Sequence, residues 1–178
     1  MGNRANIVFV DKSEERVSPN IYLHWQGGPE SVYPFLDELD RRNVRADQDY
    51  ECARFIHIVG EYMDQDNIHS LSLGVVNGPE NITIDALNKV PTDNGDNGFY
   101  IVCREVKPYT VRRFLCDYEA KNEKGENTYP VVERDKKWVN KERKEAYKHG
   151  YNVHKKGQET IAEFFKRSTG KKKMPECD

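Results

Sequence analysis

Two hydrophobic rhythms alternate along this chain, one of period two and one near 3.6, and each predicts a different element. The run Ala5-Asn-Ile-Val-Phe-Val10 is apolar and β-branched and is closed by the charged stretch 11–16, which predicts a first strand and then a turn or short loop. In the stretch 21–26, Ile21, Leu23 and Trp25 alternate with Tyr22, His24 and Gln26, predicting a second strand antiparallel to the first, with two unlike faces. Gly27 and Gly28 permit backbone angles that other residues resist, and Pro29 suits a first helical position. Strand, glycine turn and exposed helix N-terminus make this corner the feature around which the chain is arranged, with Trp25 expected in the core.

Val32, Phe35, Leu36 and Leu39 recur at helical spacing after the corner, with Pro34 expected to kink that helix or shift its start. A second helix is predicted over 48–63, with Asp47 as its N-cap. Its apolar stripe is Cys52, Ile56, Val59 and Met63, widened by the small residues Ala53 and Gly60; Tyr50, Arg54, His57 and Glu61 form a polar stripe at the same spacing. Alternation over 70–76 predicts a strand, 82–90 is ambiguous between strand and short helix, and 91–98 is a polar loop. The stretch Phe99-Tyr-Ile-Val-Cys-Arg104, with its continuous apolar run, predicts a central strand, and residues 109–115 another.

Beyond Asp117 the pattern changes. Residues 118–127 have almost nothing to bury, 129–133 suit an edge strand, and Trp138 and Tyr147 stand among lysines in a basic helix. A short helix is expected over 159–166 and a disordered end after Gly170. The predicted fold is α+β, a mainly antiparallel sheet packed against a helix pair, with a core domain over 1–117 and a basic, partly helical C-terminal extension over 118–178.

Charge sharpens that division. Residues 1–104 carry 9 Lys/Arg against 17 Asp/Glu, a net of −8, and residues 105–178 carry 19 against 13, a net of +6. An acidic front and a basic back predict either an acidic partner for the tail or a tail lying across its own body. Four cysteines without C-x-x-C spacing argue against a zinc knuckle or redox motif, and no apolar run reaches membrane-spanning length, so a cytoplasmic protein that does not enter a membrane is expected.

No residue pattern identifies a catalyst. Gly27-Gly28 lacks both the P-loop ending and the G-x-G-x-x-G spacing, so a tight β–α turn competes with an anion cradle there. Tyr22, His24 and Gln26 on the strand, with Arg54 and His57 on the second helix, are the candidates for a small-molecule site; a His24–His57 pair with Glu61 is the one metal arrangement conceivable, and no H-x-x-x-H spacing supports it. No catalytic residue, metal or cofactor is assigned. The remaining binding candidates are charged: Asp37 and Asp40 on the acidic side, and Lys136, Lys137, Trp138, Lys141 and Arg143 on the basic side, where cations interleaved with aromatics can meet an acidic protein or a phosphate backbone.

Met1-Gly-Asn-Arg-Ala-Asn-Ile-Val-Phe9, the segment from Ile21 through His24-Trp25-Gln26-Gly27-Gly28 to Ser31, Arg45-Ala-Asp47 and Asp96-Asn-Gly-Phe-Tyr-Ile-Val102 together resemble a family of small uncharacterised proteins of bacteria, phages and plasmids. The resemblance covers about residues 1–115 and carries no activity with it. It implies a phage or mobile-element setting. In that setting the expected role is a non-enzymatic binding protein that blocks a host component, such as a CRISPR-type or restriction defence complex. Its partner would be a host protein or protein–nucleic-acid complex, with direct nucleic-acid binding by the basic segment as the alternative.

Overall fold

A computed structural model describes residues 3–64, 73–92 and 96–153. Along the chain run β1 (Ala5–Val10), β2 (Asn20–Leu23), α1 (Pro29–Arg41), α2 (Gln48–Asp64), β3 (Leu73–Val76), α3 (Ile84–Asn88), β4 (Phe99–Cys103), β5 (Thr110–Cys116), β6 (Val131–Glu133) and α4 (Lys136–Val153). The strands form one sheet in the order β3-β2-β1-β4-β5-β6. The fold is α+β and mostly antiparallel, as the sequence predicts, but the central pair β1–β4 is parallel, with Ile7 opposite Tyr100 and Val8 opposite Ile101. A parallel pair needs a crossover, and the chain from β2 through α3 supplies it.

The central position of β1 and β4 suits their almost wholly apolar runs, because a strand covered on both faces has no solvent side; the one polar residue, Asn6, is buried and accepts from Asn20 and Thr92. Ile7, Phe9, Tyr100 and Val102 join the core under the helices, while Val8, Val10, Phe99 and Ile101 join a second core closed by Ile82, Leu87 and Val90 around α3 and by Phe114 and Val131. The ambiguous stretch 82–90 is thus a short helix, capped by the Thr83 hydroxyl, which accepts from the Ala86 amide. α1 packs between α2 and α4 over the other face of the sheet. It runs through Pro34 and begins with Pro29 in its first turn, where the missing N–H costs nothing.

Three expectations are corrected. Trp25 is 43% exposed and lies outside the core, since β2 ends at Leu23 and the chain bends before the tryptophan could continue the inward register. The buried face of α2 carries Cys52, Phe55, Ile58 and Val59; Ala53 is exposed and Ile56 only partly buried, so the face is rotated toward the bulkier Phe55, whose ring meets Phe9 and Phe35 edge-on. The glycines of the corner are not there for unusual angles: the positive φ belongs to Gln26 (φ 60), and Gly28 is extended at φ −69, ψ 155. The side chain of Met63, the first part of the 70–76 strand, residues 93–95 of the polar loop, and the expected elements after residue 153 lie outside the described residues.

Gly27 is needed for close approach instead. A Cβ there would stand 2.6 Å from both the Ala5 nitrogen and the Asn3 carbonyl oxygen, which are backbone atoms of the neighbouring strand. At Gly28 the same atom would meet only the Glu30 carboxylate, the end of a side chain that can swing away. Gly27→Ala is therefore expected to cost at least about 1–3 kcal/mol and Gly28→Ala well under that, as thermal melts of the two variants would register. Equal melting temperatures would contradict the packing described.

β6 adds an edge to β5, with Leu115 opposite Val132, and α4 buries Val139 and Ala146 against the body. Residues 121–129 are exposed, and no described helix is long and apolar enough to cross a membrane.

Candidate functional site

The Gly27-Gly28 corner is built by local hydrogen bonds. The Gly27 amide donates to the Asn3 carbonyl at 2.8 Å, Tyr100 Oη donates to the Gly27 carbonyl at 3.1 Å, and Ser31 Oγ donates to Gln26 Oε1 at 2.6 Å. Gln26 is thereby engaged, and the Glu30 carboxylate, held by Asn3 Nδ2 at 3.2 Å, folds back over the start of α1 where an external anion would have sat. His24 is half-buried, its ring centroid 6.3 Å from Tyr22 and 5.6 Å from Trp25. Arg54 and His57 instead line a hollow with Arg42, Arg45 and Tyr50 on the outer side of α2. Among the described residues no group of three or more His, Cys, Asp or Glu side chains is placed to hold a metal.

Two buried arginines, one from each part of the chain, organise the polar interior. Arg104, at the end of β4, is 1% exposed and its guanidinium is ringed by acceptors: Glu51 Oε1 at 2.9 Å, Asp40 Oδ1 at 2.9 Å, and the carbonyls of Leu39 and Val44 at 3.2 and 3.3 Å. The fork geometry of Arg suits this, tying the end of α1, the α1–α2 turn and α2 to the sheet. Burial pushes the Glu51 carboxyl up to about 7 against the pull of Arg104. Asp40 moves the other way: burial alone would raise it, but Lys107 at 2.6 Å and Arg104 together hold it below the ordinary carboxylate range. A carboxylate held low contributes stability that is present above its ordinary pKa and is lost as pH falls through the folded value.

A second cluster fastens α4. Arg113, also 1% exposed, lies over the Tyr100 ring with its carbon 3.5 Å from the centroid and donates to the Asn97 and Phe99 carbonyls at 2.7 and 2.8 Å. Its remaining donors reach both oxygens of Glu142 on α4, at 2.9 and 3.1 Å, and Tyr33 Oη donates to the same carboxylate at 2.8 Å. Nearby, Asp37 accepts from Tyr109 at 2.7 Å, from Arg143 at 3.0 Å and from Tyr147. The phenols of Tyr33 and Tyr109 are raised by burial and then by the adjacent carboxylate, and that of Tyr147, for the same reasons, to about 12, so all three stay protonated as donors.

These clusters use up Asp37, Asp40 and Arg143, three of the sequence candidates, within the fold. The other basic candidates stay outside. With 3.6 residues per turn, Lys137, Lys141, Lys144 and Lys148 fall in one row roughly opposite the buried Val139 and Ala146. Lys148 pairs with Glu145 at 2.8 Å, whereas Lys136, Lys137, Lys141 and Lys144 are exposed with no ion pair among the described residues. Trp138 is half-buried beside the row, with the Arg134 guanidinium 5.6 Å from its ring, and a concavity of about 760 Å³ follows the row, lined by Trp138 and four lysines together with Asp135 and Glu145.

Sequence reasoning finds a basic helix here but not the common face of its lysines, and it misses Glu51, Arg104, Arg113 and Glu142. Arg113 carries a weak signal in its strand register, which it shares with Val111 and Tyr109; Arg104 follows an apolar run directly. The geometry being in place, comparison adds nothing further: no family model, no curated protein and no solved structure matches the chain.

Proposed function

We propose that this is a non-enzymatic binding protein that docks on an acidic macromolecular partner through the outer face of α4. The observation that carries the reading is the row Lys137, Lys141 and Lys144, exposed and with no ion pair among the described residues, on a helix whose other side is pinned by Glu142, Arg143 and Tyr147. A row of unpaired cations on a fixed helix gives complementarity to a negative surface and speeds encounter with it. The resemblance in the first 115 residues supports a phage or mobile-element setting, where the partner is a host protein or complex, including a nucleic-acid-handling defence complex.

The test is capture of a partner from bacterial lysate by the full-length chain, compared with the triple charge reversal Lys137→Glu, Lys141→Glu, Lys144→Glu. At least a tenfold loss of capture is expected, with a melting temperature close to the parent's because the three side chains are exposed and make no ion pair among the described residues. Undiminished capture would remove α4 from the interface.

Trp138, with Arg134 over its ring beside the same lysines, favours a second reading in which the partner surface is a nucleic-acid strand. Gel shift over a range of salt separates the two. Direct binding to a strand should weaken steeply with salt, and each lysine removed should lower the slope by about one.

A further inference from the structure

The hollow on α2 stands on the half of the chain whose net charge is −8, yet its lining is basic. Arg42 and Arg45 come from the turn after α1; Tyr50, Arg54 and His57, at i, i+4 and i+7 along α2, share one face. Val44 and Ile58 complete a concavity of about 420 Å³, and no carboxylate lines it. The acids that neutralise this region stand behind the cations. Glu38 and Glu61 each bond Arg42 at 2.6 Å, fixing its guanidinium, and Glu61 also holds His57 Nε2 at 3.0 Å. Asp47 lies 3.8 Å from Arg45.

Arg54 differs from the rest. It is exposed and has no hydrogen bond or ion pair among the described residues, so a guanidinium fork faces solvent beside two others. Tyr50 is 54% exposed, with the Arg45 guanidinium 5.4 Å from its ring centroid. A folded protein leaves a large aromatic in water at some cost, and here it stands at the rim of a concavity lined by three arginines. Guanidinium forks match phosphate oxygens in two-point hydrogen bonds, and an open tyrosine face stacks on a planar base. The volume falls in the range of small-ligand sites.

We propose that this hollow binds a nucleotide, its phosphate between Arg54, Arg45 and Arg42 and its base against Tyr50. The site is separate from the lysine row of α4 and does not depend on it. The nucleotide is either free or one unit of a single strand, since both present the same phosphate and base.

Isothermal titration of the full-length protein at low salt with inorganic phosphate, adenosine, AMP and a short oligothymidylate tests this. AMP should bind more tightly than phosphate, and adenosine more weakly than AMP. Arg54→Glu and Arg45→Glu should each weaken AMP and phosphate by at least about tenfold, the size of one charge-assisted contact. Tyr50→Ala should bring AMP to the affinity of phosphate. The α4 triple reversal should leave AMP binding unchanged, so failure here and failure of the α4 reading are distinguishable. Oligothymidylate binding tighter than AMP and lost in Arg54→Glu assigns the site to a strand; weaker oligothymidylate binding assigns it to the free nucleotide. Arg54→Gln serves if charge reversal lowers the melting temperature. No AMP binding by the parent chain, or binding indifferent to Arg54, overturns the proposal.

Discussion

Replacing Arg104 by alanine is expected to lower the free energy of unfolding by about 3–5 kcal/mol, because it strands a buried carboxylate and two backbone carbonyls. The loss should depend on pH in a definite direction. In the parent, Glu51 is held up near 7 by burial, so between its unfolded value near 4.5 and about 7 the folded state binds the proton more tightly, and this group's contribution to stability falls as pH rises. Without Arg104 nothing opposes burial, the carboxyl rises further, and the window extends upward. The deficit of Arg104→Ala should therefore be larger at pH 8 than at pH 5, by up to about 1.4 kcal/mol for each unit of further rise. Denaturant melts at the two pH values, repeated in a Glu51→Gln background, check it. Glu51→Gln should flatten the pH profile, and the pair should couple by at least about 1 kcal/mol; simple additivity would mean that the two groups do not act together.

Glu142→Ala is expected to cost about 3 kcal/mol and to show where the cost falls. The substitution leaves Arg113, 1% exposed, with a guanidinium lacking its carboxylate, and deprives Tyr33 of an acceptor. Among the described residues α4 buries Val139 and Ala146, and its other ties to α1 are those of Arg143 and Tyr147 to Asp37. Hydrogen exchange should accelerate along α4 well before it does in β1 and β4. An apolar pair, Arg113→Met with Glu142→Leu, should recover much of the lost stability, since such exchanges of buried ion pairs are often neutral or better. Unchanged exchange on α4 in Glu142→Ala would show that the helix is held by something other than this polar clasp.

What could be read from the sequence was what depends on local rhythm. The apolar run of β4 announced a central strand because no polar residue interrupts it, whereas β1, which carries the buried Asn6, announced only a strand. The spacing of Val32, Phe35, Leu36 and Leu39 announced α1, and the density of lysines around Trp138 and Tyr147 announced a basic helix. What could not be read was how neighbours resolve a tie. On α2, the series Cys52-Ile56-Val59 and Cys52-Phe55-Ile58-Val59 are both helical and apolar, and the ring of Phe55 between Phe9 and Phe35 decides between them. On β5, Arg112 and Arg113 put one guanidinium on each face; Arg112 goes to Glu14 and Glu133, and Arg113 goes under α4 to Glu142. Asp37 and Asp40 looked like a free acidic front because Arg143, Tyr147, Arg104 and Lys107 lie 64 or more residues away in the chain. The charge imbalance between the two parts of the sequence is in good measure an internal match.

The separation between Asp37 and Arg143 is 106 residues, and it sets a schedule for synthesis. At ribosomal rates of about 5–20 residues per second, roughly 5–20 s pass between the making of α1 and the arrival of the cation that covers its carboxylate. Throughout that interval Tyr33, Asp37 and then Arg113 stand open to water or to a chaperone. Of the described elements β6 and α4 are made last and complete the helix layer, and any change that delays them prolongs the life of a nascent chain with that layer unfinished.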